Sequence, residues 1–143
     1  MRVLFLCTGN SARSQMAEAW LRHLSGGQVE VSSAGTEPKG LHPLAVQVMA
    51  ERGIDLTGQR SKPVSEFQGQ RFDWVVTVCD RARESCPVFP GARTLHWDLP
   101  DPAEVHGAQE AVLEAFRRAR DELERRVGDL LKRLEGEEAP ELL

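Results

Sequence analysis

Cys7 and Arg13 are the two side chains whose types and spacing are best suited to chemistry in this chain, with five residues between them. A thiolate is a strong nucleophile, and the planar guanidinium of arginine can hold two oxygens of an oxyanion at once. The spacing alone is weak evidence, because 3 Cys and 15 Arg in 143 residues give roughly 0.3 such pairs by chance. Its surroundings add weight, since Gly9 permits close backbone approach and Ser14 begins a helical pattern.

The whole segment that follows Cys7 predicts a binding loop for a tetrahedral oxyanion. A strand end, a tight loop and a helix N-terminus together form a nest of inward N–H groups that favours anions and the thiolate form of Cys7. Asn10 tolerates a left-handed backbone, and Ser14 either donates to the Cys7 sulfur or simply caps the helix. We expect the oxyanion to be bound by Thr8, Gly9, Asn10, Ser11, Ala12, Arg13 and Ser14.

Strands and helices alternate along the rest of the chain. Apolar runs predict strands at 2–6, 29–33, 74–79 and 94–97, and 3.6-residue periodicity predicts helices from 14 to about 25, from 43 to about 52 and from 109 to 134. The sequence predicts a short turn or helix at 81–86 and a frayed tail at 135–143. We therefore expect one α/β domain of three layers, with a parallel sheet and helices on both faces.

In a parallel sheet the loops after the strands share one rim, and ligands bind there. Cys7, Cys79 and Asp101 all lie at or after the ends of predicted strands, so the topology brings them to the same edge of the sheet. For Cys7, the alternative that it is merely a buried apolar residue leaves the Gly-Asn pair and the flanking Arg-Ser pair without a role.

Composition excludes several classes of protein. The chain is 41% hydrophobic and 28% charged, with net charge −4, which fits a globular protein and argues against nucleic-acid binding through a basic face. No apolar run approaches the roughly 18 residues of a membrane span, and three cysteines are too few for a disulfide scaffold. We expect a cytoplasmic, monomeric protein without a membrane partner. The four histidines have no metal-ligand spacing, so neither a metal nor another cofactor is predicted.

The residues Cys7–Ser14, continued by the sequence QMAEA at 15–19, resemble the signature of the low-molecular-weight protein tyrosine phosphatase superfamily, which includes the thioredoxin-coupled arsenate reductases. Two further segments share the resemblance, namely SSAGT at 32–36 and the pair Asp101-Pro102. The resemblance implies a four-stranded parallel sheet in the order 2-1-3-4.

The same resemblance implies that Asp101 is the acid that protonates the leaving oxygen, because the family places this acid in an Asp-Pro pair. Asp98 lies close by in the sequence and is the rival. For either residue the ordinary alternative is an exposed loop aspartate.

Two departures from the phosphatase pattern favour the arsenate reductase branch. The phosphatases carry aromatic residues, typically Tyr, after Asp-Pro, whereas this chain has Ala103-Glu104 there and no Tyr anywhere. The arsenate reductases carry a cysteine pair at the spacing of Cys79 and Cys86. The resemblance thus implies arsenate as substrate, phosphate or sulfate as competing oxyanions, and a Cys7–Cys79–Cys86 relay regenerated by thioredoxin.

Two other functions stay open. Phosphomonoester hydrolysis through a Cys7 phosphocysteine needs only Cys7, Arg13 and Asp101, and could be the main activity or accompany arsenate reduction. The third alternative is a redox-sensing or oxyanion-binding protein without turnover. Taken singly, Cys79 could be a core residue that ends a strand, and Cys86 an ordinary loop thiol.

Overall fold

The computed structural model describes residues 1–78 and 89–138 of the chain. Four strands form one sheet in the order β2-β1-β3-β4, and every neighbouring pair is parallel. The strands are β1 (Arg2–Cys7), β2 (Glu30–Gly35), β3 (Trp74–Thr77) and β4 (Arg93–His96). The prediction of a four-stranded parallel sheet in this order is confirmed.

Three α-helices lie among the described residues: α1 (Arg13–Leu24), α2 (Pro43–Ala50) and α3 (Gln109–Glu138). Two 3₁₀ helices, Val64–Phe67 and Pro102–Glu104, lie in the connections. The helix α3 continues four residues beyond the predicted end at Leu134, as far as Glu138. The frayed tail predicted for 135–143 stays a prediction. The turn or helix predicted at 81–86 lies outside the described residues.

The central strand β1 is buried on both sides, which is why its sequence is apolar without alternation. Neighbouring residues of a strand point to opposite faces, so Arg2 and Val3 mark the two faces of the sheet. Val3 pairs with Trp74, and the Trp74 ring lies 4.7 Å from the Arg133 guanidinium of α3. On this face α1 packs on β1 and β2, and α3 packs on α1 and α2.

Aromatic residues from the connections cover the second face. The Arg2 guanidinium lies 4.5 Å from the centre of the Phe72 ring. Phe72 in turn meets Phe67 and Phe89 edge to face, with ring centres 5.8 and 5.7 Å apart. The 3₁₀ helix Val64–Phe67 belongs to this layer, so the sheet lies between two layers of packed side chains.

No helix that the structure describes combines the length and the apolar composition needed to cross a membrane. The longest, α3, has a charged outer face on which Glu122 pairs with both Arg125 and Arg126. Its buried stripe includes Phe116, Leu123 and Val127, as its 3.6-residue periodicity predicts.

Gly35, the last residue of β2, is required by the close approach of the loop that follows β1. A Cβ atom at this position would lie 2.6 Å from the Thr8 carbonyl oxygen and 2.9 Å from the Asn10 amide nitrogen. Both are backbone atoms, which cannot swing aside as the tip of a long side chain can.

We expect the substitution Gly35→Ala to lower the free energy of unfolding by about 1–3 kcal/mol, because the added methyl group forces the backbone of β2 and the loop apart. Gly128→Ala is the matched control: it lies inside α3 with no atom within 4 Å of its new Cβ, and should stabilise the protein by about 0.5–1 kcal/mol. Urea denaturation of the three proteins measures both values. An unchanged urea midpoint in Gly35→Ala would contradict this, because it would show that the loop moves away from the added methyl group without lowering the free energy of unfolding.

Candidate active site

The loop between β1 and α1 gives its carbonyl oxygens to a neighbouring segment of the chain, residues 36–42. Four hydrogen bonds run from the amides of Thr36, Glu37, Lys39 and His42 to the carbonyls of Cys7, Thr8, Gly9 and Ser11, at 3.3, 2.8, 2.9 and 2.9 Å. Because the C=O and N–H of a trans peptide unit point in opposite directions, carbonyls turned outward leave amides turned toward the centre of the loop. This is the geometry that binds an oxyanion.

Cys7 lies at the base of this loop, at the end of β1, and only 3% of its surface is exposed. Its Sγ is 2.8 Å from Ser14 Oγ and accepts a hydrogen bond from the Asn10 amide at 3.2 Å. The cap position of α1 is Ala12, without a side-chain cap, so Ser14 does not cap the helix. Of the two roles open for Ser14, the structure places its hydroxyl against the thiol.

Asn10 is the one described non-glycine residue with positive φ, at 45°. Its buried side chain is fixed from both ends: Nδ2 donates to Ser14 Oγ at 2.8 Å and to Ser33 Oγ at 3.0 Å. Oδ1 accepts from the Lys62 amide and from Gln15 Nε2, both at 3.0 Å. These bonds hold the left-handed turn of the loop, the conformation for which an asparagine is suited.

Several residues behind the loop were missed by sequence reasoning, and Glu18 and Lys62 are the most buried charges among them. Glu18 Oε1 accepts from Ser33 Oγ at 2.5 Å, and Glu18 also pairs with Lys62 Nζ at 3.9 Å. Gln59 Nε2 donates to Gln15 Oε1 at 2.7 Å. These partners are 15 to 44 residues apart in the sequence, so no local pattern could have found them.

Arg13 closes the loop as the first residue of α1, with its side chain 10% exposed. Its Nη1 donates to the carbonyls of Leu99 at 2.8 Å and Val78 at 3.3 Å, which follow β4 and β3. Its Nη2 lies 3.5 Å from Asp101 Oδ2. One nitrogen of the guanidinium thus anchors it to the sheet rim, while the other faces the Asp101 carboxylate in the pocket.

Asp101 is 30% exposed and is held at the mouth of the pocket. Its Oδ1 accepts from the Ala103 amide at 3.0 Å, which caps the 3₁₀ helix Pro102–Glu104. Asp98, the rival acid, is exposed and lines the same pocket. The structure therefore brings Cys7, Arg13 and Asp101 together, with Asp101 in contact with Arg13.

The pocket that Cys7 lines has a volume of about 550 Å³ and carries charged groups of both signs. Its lining includes the basic side chains of Lys39 and His42 and the acidic side chains of Asp98, Asp101 and Glu104. Burial lowers the pKa of His42, and the nearby Asp101 carboxylate partly opposes this. Its Nδ1 accepts from the Leu44 amide at 3.1 Å, which makes His42 the cap of α2.

Residues 1–78 and 89–138 contain no cluster of His, Cys, Asp or Glu arranged to hold a metal.

Cys79 and Cys86, the two cysteines predicted to complete a relay, lie outside the described residues. The chain is described as far as Val78, whose carbonyl accepts from Arg13. Cys79 is the next residue in the sequence.

Known proteins resemble this chain along nearly its whole length. A family model described as low molecular weight phosphotyrosine protein phosphatase matches residues 2–139. An arsenate reductase of Halalkalibacterium halodurans is 44% identical over 126 residues, which are 87% of this chain and 91% of that protein. An arsenate reductase of Bacillus subtilis is 43% identical with the same coverage.

Three solved structures show the same fold. An arsenate reductase in its oxidized state has a TM-score of 0.80 at 34% identity, covering 92% of this chain and 97% of that one. The thioredoxin-dependent arsenate reductase of Corynebacterium glutamicum has a TM-score of 0.76 at 32% identity, with coverages of 94% and 61%. An arginine phosphatase mutant with a phosphorylated active-site serine has a TM-score of 0.75 at 28% identity, with coverages of 94% and 96%. Since the family model spans residues 2–139, this chain belongs to the low molecular weight phosphotyrosine protein phosphatase family.

Proposed function

We propose that this protein reduces arsenate to arsenite, with Cys7 as the nucleophile, Cys79 and Cys86 as a disulfide relay, and thioredoxin as the reductant. The observation that carries the proposal is the position of Cys7 Sγ, held by Ser14 Oγ and the Asn10 amide within an oxyanion loop that Arg13 closes. The names of the relatives support arsenate as the substrate, and one of them is thioredoxin-dependent.

In the first step the loop amides and Arg13 bind arsenate above Cys7. The Ser14 hydroxyl and the Asn10 amide donate to the sulfur and so stabilise the thiolate that attacks arsenic. A bond forms between sulfur and arsenic, and one arsenate oxygen leaves as water after taking a proton from Asp101. Asp101 stands at the pocket mouth on the Arg13 side, where an acid can reach an oxygen directed away from Cys7.

The second step moves two electrons to arsenic. The Cys79 thiolate attacks Cys7 Sγ, the sulfur–arsenic bond breaks with its electron pair going to arsenic, and arsenite departs. This leaves a Cys7–Cys79 disulfide. Cys86 then attacks Cys79 and releases the Cys7 thiolate, and a dithiol of thioredoxin reduces the Cys79–Cys86 disulfide. Each turnover therefore consumes one arsenate and one thioredoxin dithiol.

The described part of the chain supports Cys79 as the second thiol through its neighbour in the sequence. Val78 is fully buried and its carbonyl oxygen is bound by Arg13, the residue that closes the loop around Cys7. Cys79 is therefore bonded directly to the residue whose carbonyl oxygen contacts Arg13.

Phosphomonoester hydrolysis is the second candidate function, because its first half-reaction needs no residue beyond those already assembled. Cys7, Arg13 and Asp101 would form and resolve a phosphocysteine. The walls of the pocket carry no Phe, Trp or Tyr among the described residues, and the chain has no Tyr at all. A flat slot for a phosphotyrosine ring is thus missing from those walls, which favours arsenate reduction as the main activity.

Serine substitutions of the three cysteines should separate the steps of the relay. In an assay of arsenite release with thioredoxin, its reductase and NADPH, Cys7→Ser and Cys79→Ser should release none, because neither can form the first disulfide. Cys86→Ser should release about one arsenite per enzyme and then stop, since the Cys7–Cys79 disulfide stays buried in the site.

Hydrolysis of para-nitrophenyl phosphate by the same variants is the control for folding of the site. It should persist in Cys79→Ser and Cys86→Ser and disappear in Cys7→Ser. Multiple turnovers of arsenate in Cys79→Ser or Cys86→Ser would contradict the relay. Wild-type turnover of the aryl phosphate far above that of arsenate would make phosphatase the primary activity.

Asp101→Asn should lower kcat for arsenate by about 10²–10⁴, the usual contribution of a general acid. The substitution keeps the cap on Ala103, because an asparagine oxygen accepts the same hydrogen bond, so the thermal midpoint should change little. Asp98→Asn is the comparison and should cost less than about threefold, since Asp98 is exposed. A larger loss in Asp98→Asn than in Asp101→Asn would assign the acid to Asp98 instead.

A further inference from the structure

A buried ion pair lies behind the oxyanion loop and takes no part in the reaction described above. The side chains of Glu18 and Lys62 are 7% and 10% exposed, and Lys62 Nζ lies 3.9 Å from Glu18 Oε1. Lys62 Nζ also donates to the Arg60 carbonyl at 3.0 Å. On its other oxygen Glu18 pairs with Arg22 at 2.5 Å. Removing Glu18 would leave the buried Lys62 ammonium without its carboxylate, and removing Lys62 would leave the buried Glu18 carboxylate with Arg22 as its remaining cation, so either change has a cost.

Two hydrogen bonds through the Ser33 hydroxyl connect this pair to Asn10, and in each of them the donor and the acceptor are fixed. A carboxylate can only accept, so Glu18 makes the Ser33 hydroxyl point its hydrogen toward Oε1. The Ser33 oxygen is then free to accept from Asn10 Nδ2, at 3.0 Å. At the other end of the same amide, the Lys62 backbone N–H donates to Asn10 Oδ1 at 3.0 Å. Lys62 thus acts on both ends of the Asn10 side chain.

We propose that Lys62 is a positioning residue of the oxyanion site, whose ammonium group, through Glu18 and Ser33, fixes the Asn10 amide and with it the left-handed turn that aims the loop amides. The inference rests on the proposed function only in so far as the loop binds an oxyanion. Lys62 does not line the pocket, so any effect on binding has to pass through the loop.

A purely structural ion pair is the alternative explanation, and it makes a different prediction. Such a pair would change the free energy of unfolding and leave the affinity of the folded protein for an oxyanion unchanged. The positioning role requires that affinity to fall in protein that is still folded. Inorganic phosphate is a suitable probe because it is tetrahedral and is not reduced, and its binding is measured by protection of Cys7 from alkylation.

Four variants test the role. In Lys62→Met, which keeps the unbranched side chain but lacks the ammonium group, the phosphate concentration for half-protection of Cys7 should rise about tenfold, as for groups coupled in one hydrogen-bond network. In Lys62→Arg the charge is kept, and the value should stay within about threefold of wild type. Glu18→Gln combined with Lys62→Met should recover most of the loss, because a neutral amide oxygen still accepts from Ser33 and no buried charge is left unpaired. Lys132→Met, on the exposed surface of α3, is the matched control and should not change.

The pH dependence of the same protection gives an independent measurement. Burial lowers the pKa of Lys62; Arg60 and Arg22 add to this, and Glu18 and Glu66 oppose it. As the pH rises, the ammonium therefore loses its proton earlier than an ordinary lysine, and protection by phosphate should weaken on the alkaline side in wild type. Because Lys62→Met has no proton to lose there, this alkaline decline should be missing from its profile.

Wild-type protection by phosphate in folded Lys62→Met would overturn the proposal, and so would an unchanged alkaline decline. Thermal midpoints of all variants identify the folded ones. If Lys62→Met unfolds, the wild-type pH profile still tests the proposal, because absence of the alkaline decline in folded wild type would overturn it. Absence of arsenate reduction in wild type would refute the proposed function and leave the phosphate measurement of Lys62 intact.

Discussion

The outward turn of four carbonyl groups in the loop after β1 is the constraint on which the rest of the site depends. A loop can present several N–H groups to one anion only if its C=O groups find donors elsewhere, since a buried carbonyl without a partner is costly. The segment 36–42 supplies those donors from its own amides. The close approach of this segment is possible because Gly35, with no Cβ, lies against the Thr8 carbonyl. The oxyanion site is therefore a property of two strand ends, β1 and β2, and not of the loop alone.

Arg13 connects the other two strands, β3 and β4, to the site. Its guanidinium binds the carbonyls of Val78 and Leu99, which follow β3 and β4, and it also meets Asp101. A single side chain thus ties the start of α1 to the loop that carries Asp101, the proposed acid. This explains why arginine suits the position better than lysine, whose single ammonium nitrogen cannot serve carbonyls and an anion in one plane.

Sequence reasoning found the parts of this site that are local and missed those that are distant. A strand followed by Gly9, Asn10 and a helix start predicted the loop, and the predicted left-handed tolerance of Asn10 is confirmed by its φ of 45°. The order of the four strands came from the resemblance, because alternation of strands and helices specifies a parallel sheet but not which strand lies beside which.

Glu18 was missed because an acidic residue in a helix ordinarily lies on the solvent-exposed face of that helix. Its burial depends on Lys62 and Arg22, and nothing in the intervening sequence indicates that these meet. The last turn of α3 was missed for a simpler reason: its apolar stripe ends at Leu134, while the backbone hydrogen bonds continue.

The same loop suits both arsenate and phosphate, so the loop cannot decide which chemistry follows. Both anions are tetrahedral, and in both proposed reactions the anion forms a bond to Cys7 with loss of an oxygen that Asp101 would protonate. The outcomes differ in the second step. Arsenic(V) bound to sulfur readily accepts an electron pair, so a second thiol that attacks the sulfur releases arsenite and completes a reduction. Phosphorus(V) does not accept that pair under these conditions, and water must attack phosphorus instead. Under the proposed function, the reaction therefore depends on whether a second thiol reaches Cys7. Cys79, the proposed second thiol, directly follows Val78, whose carbonyl binds Arg13.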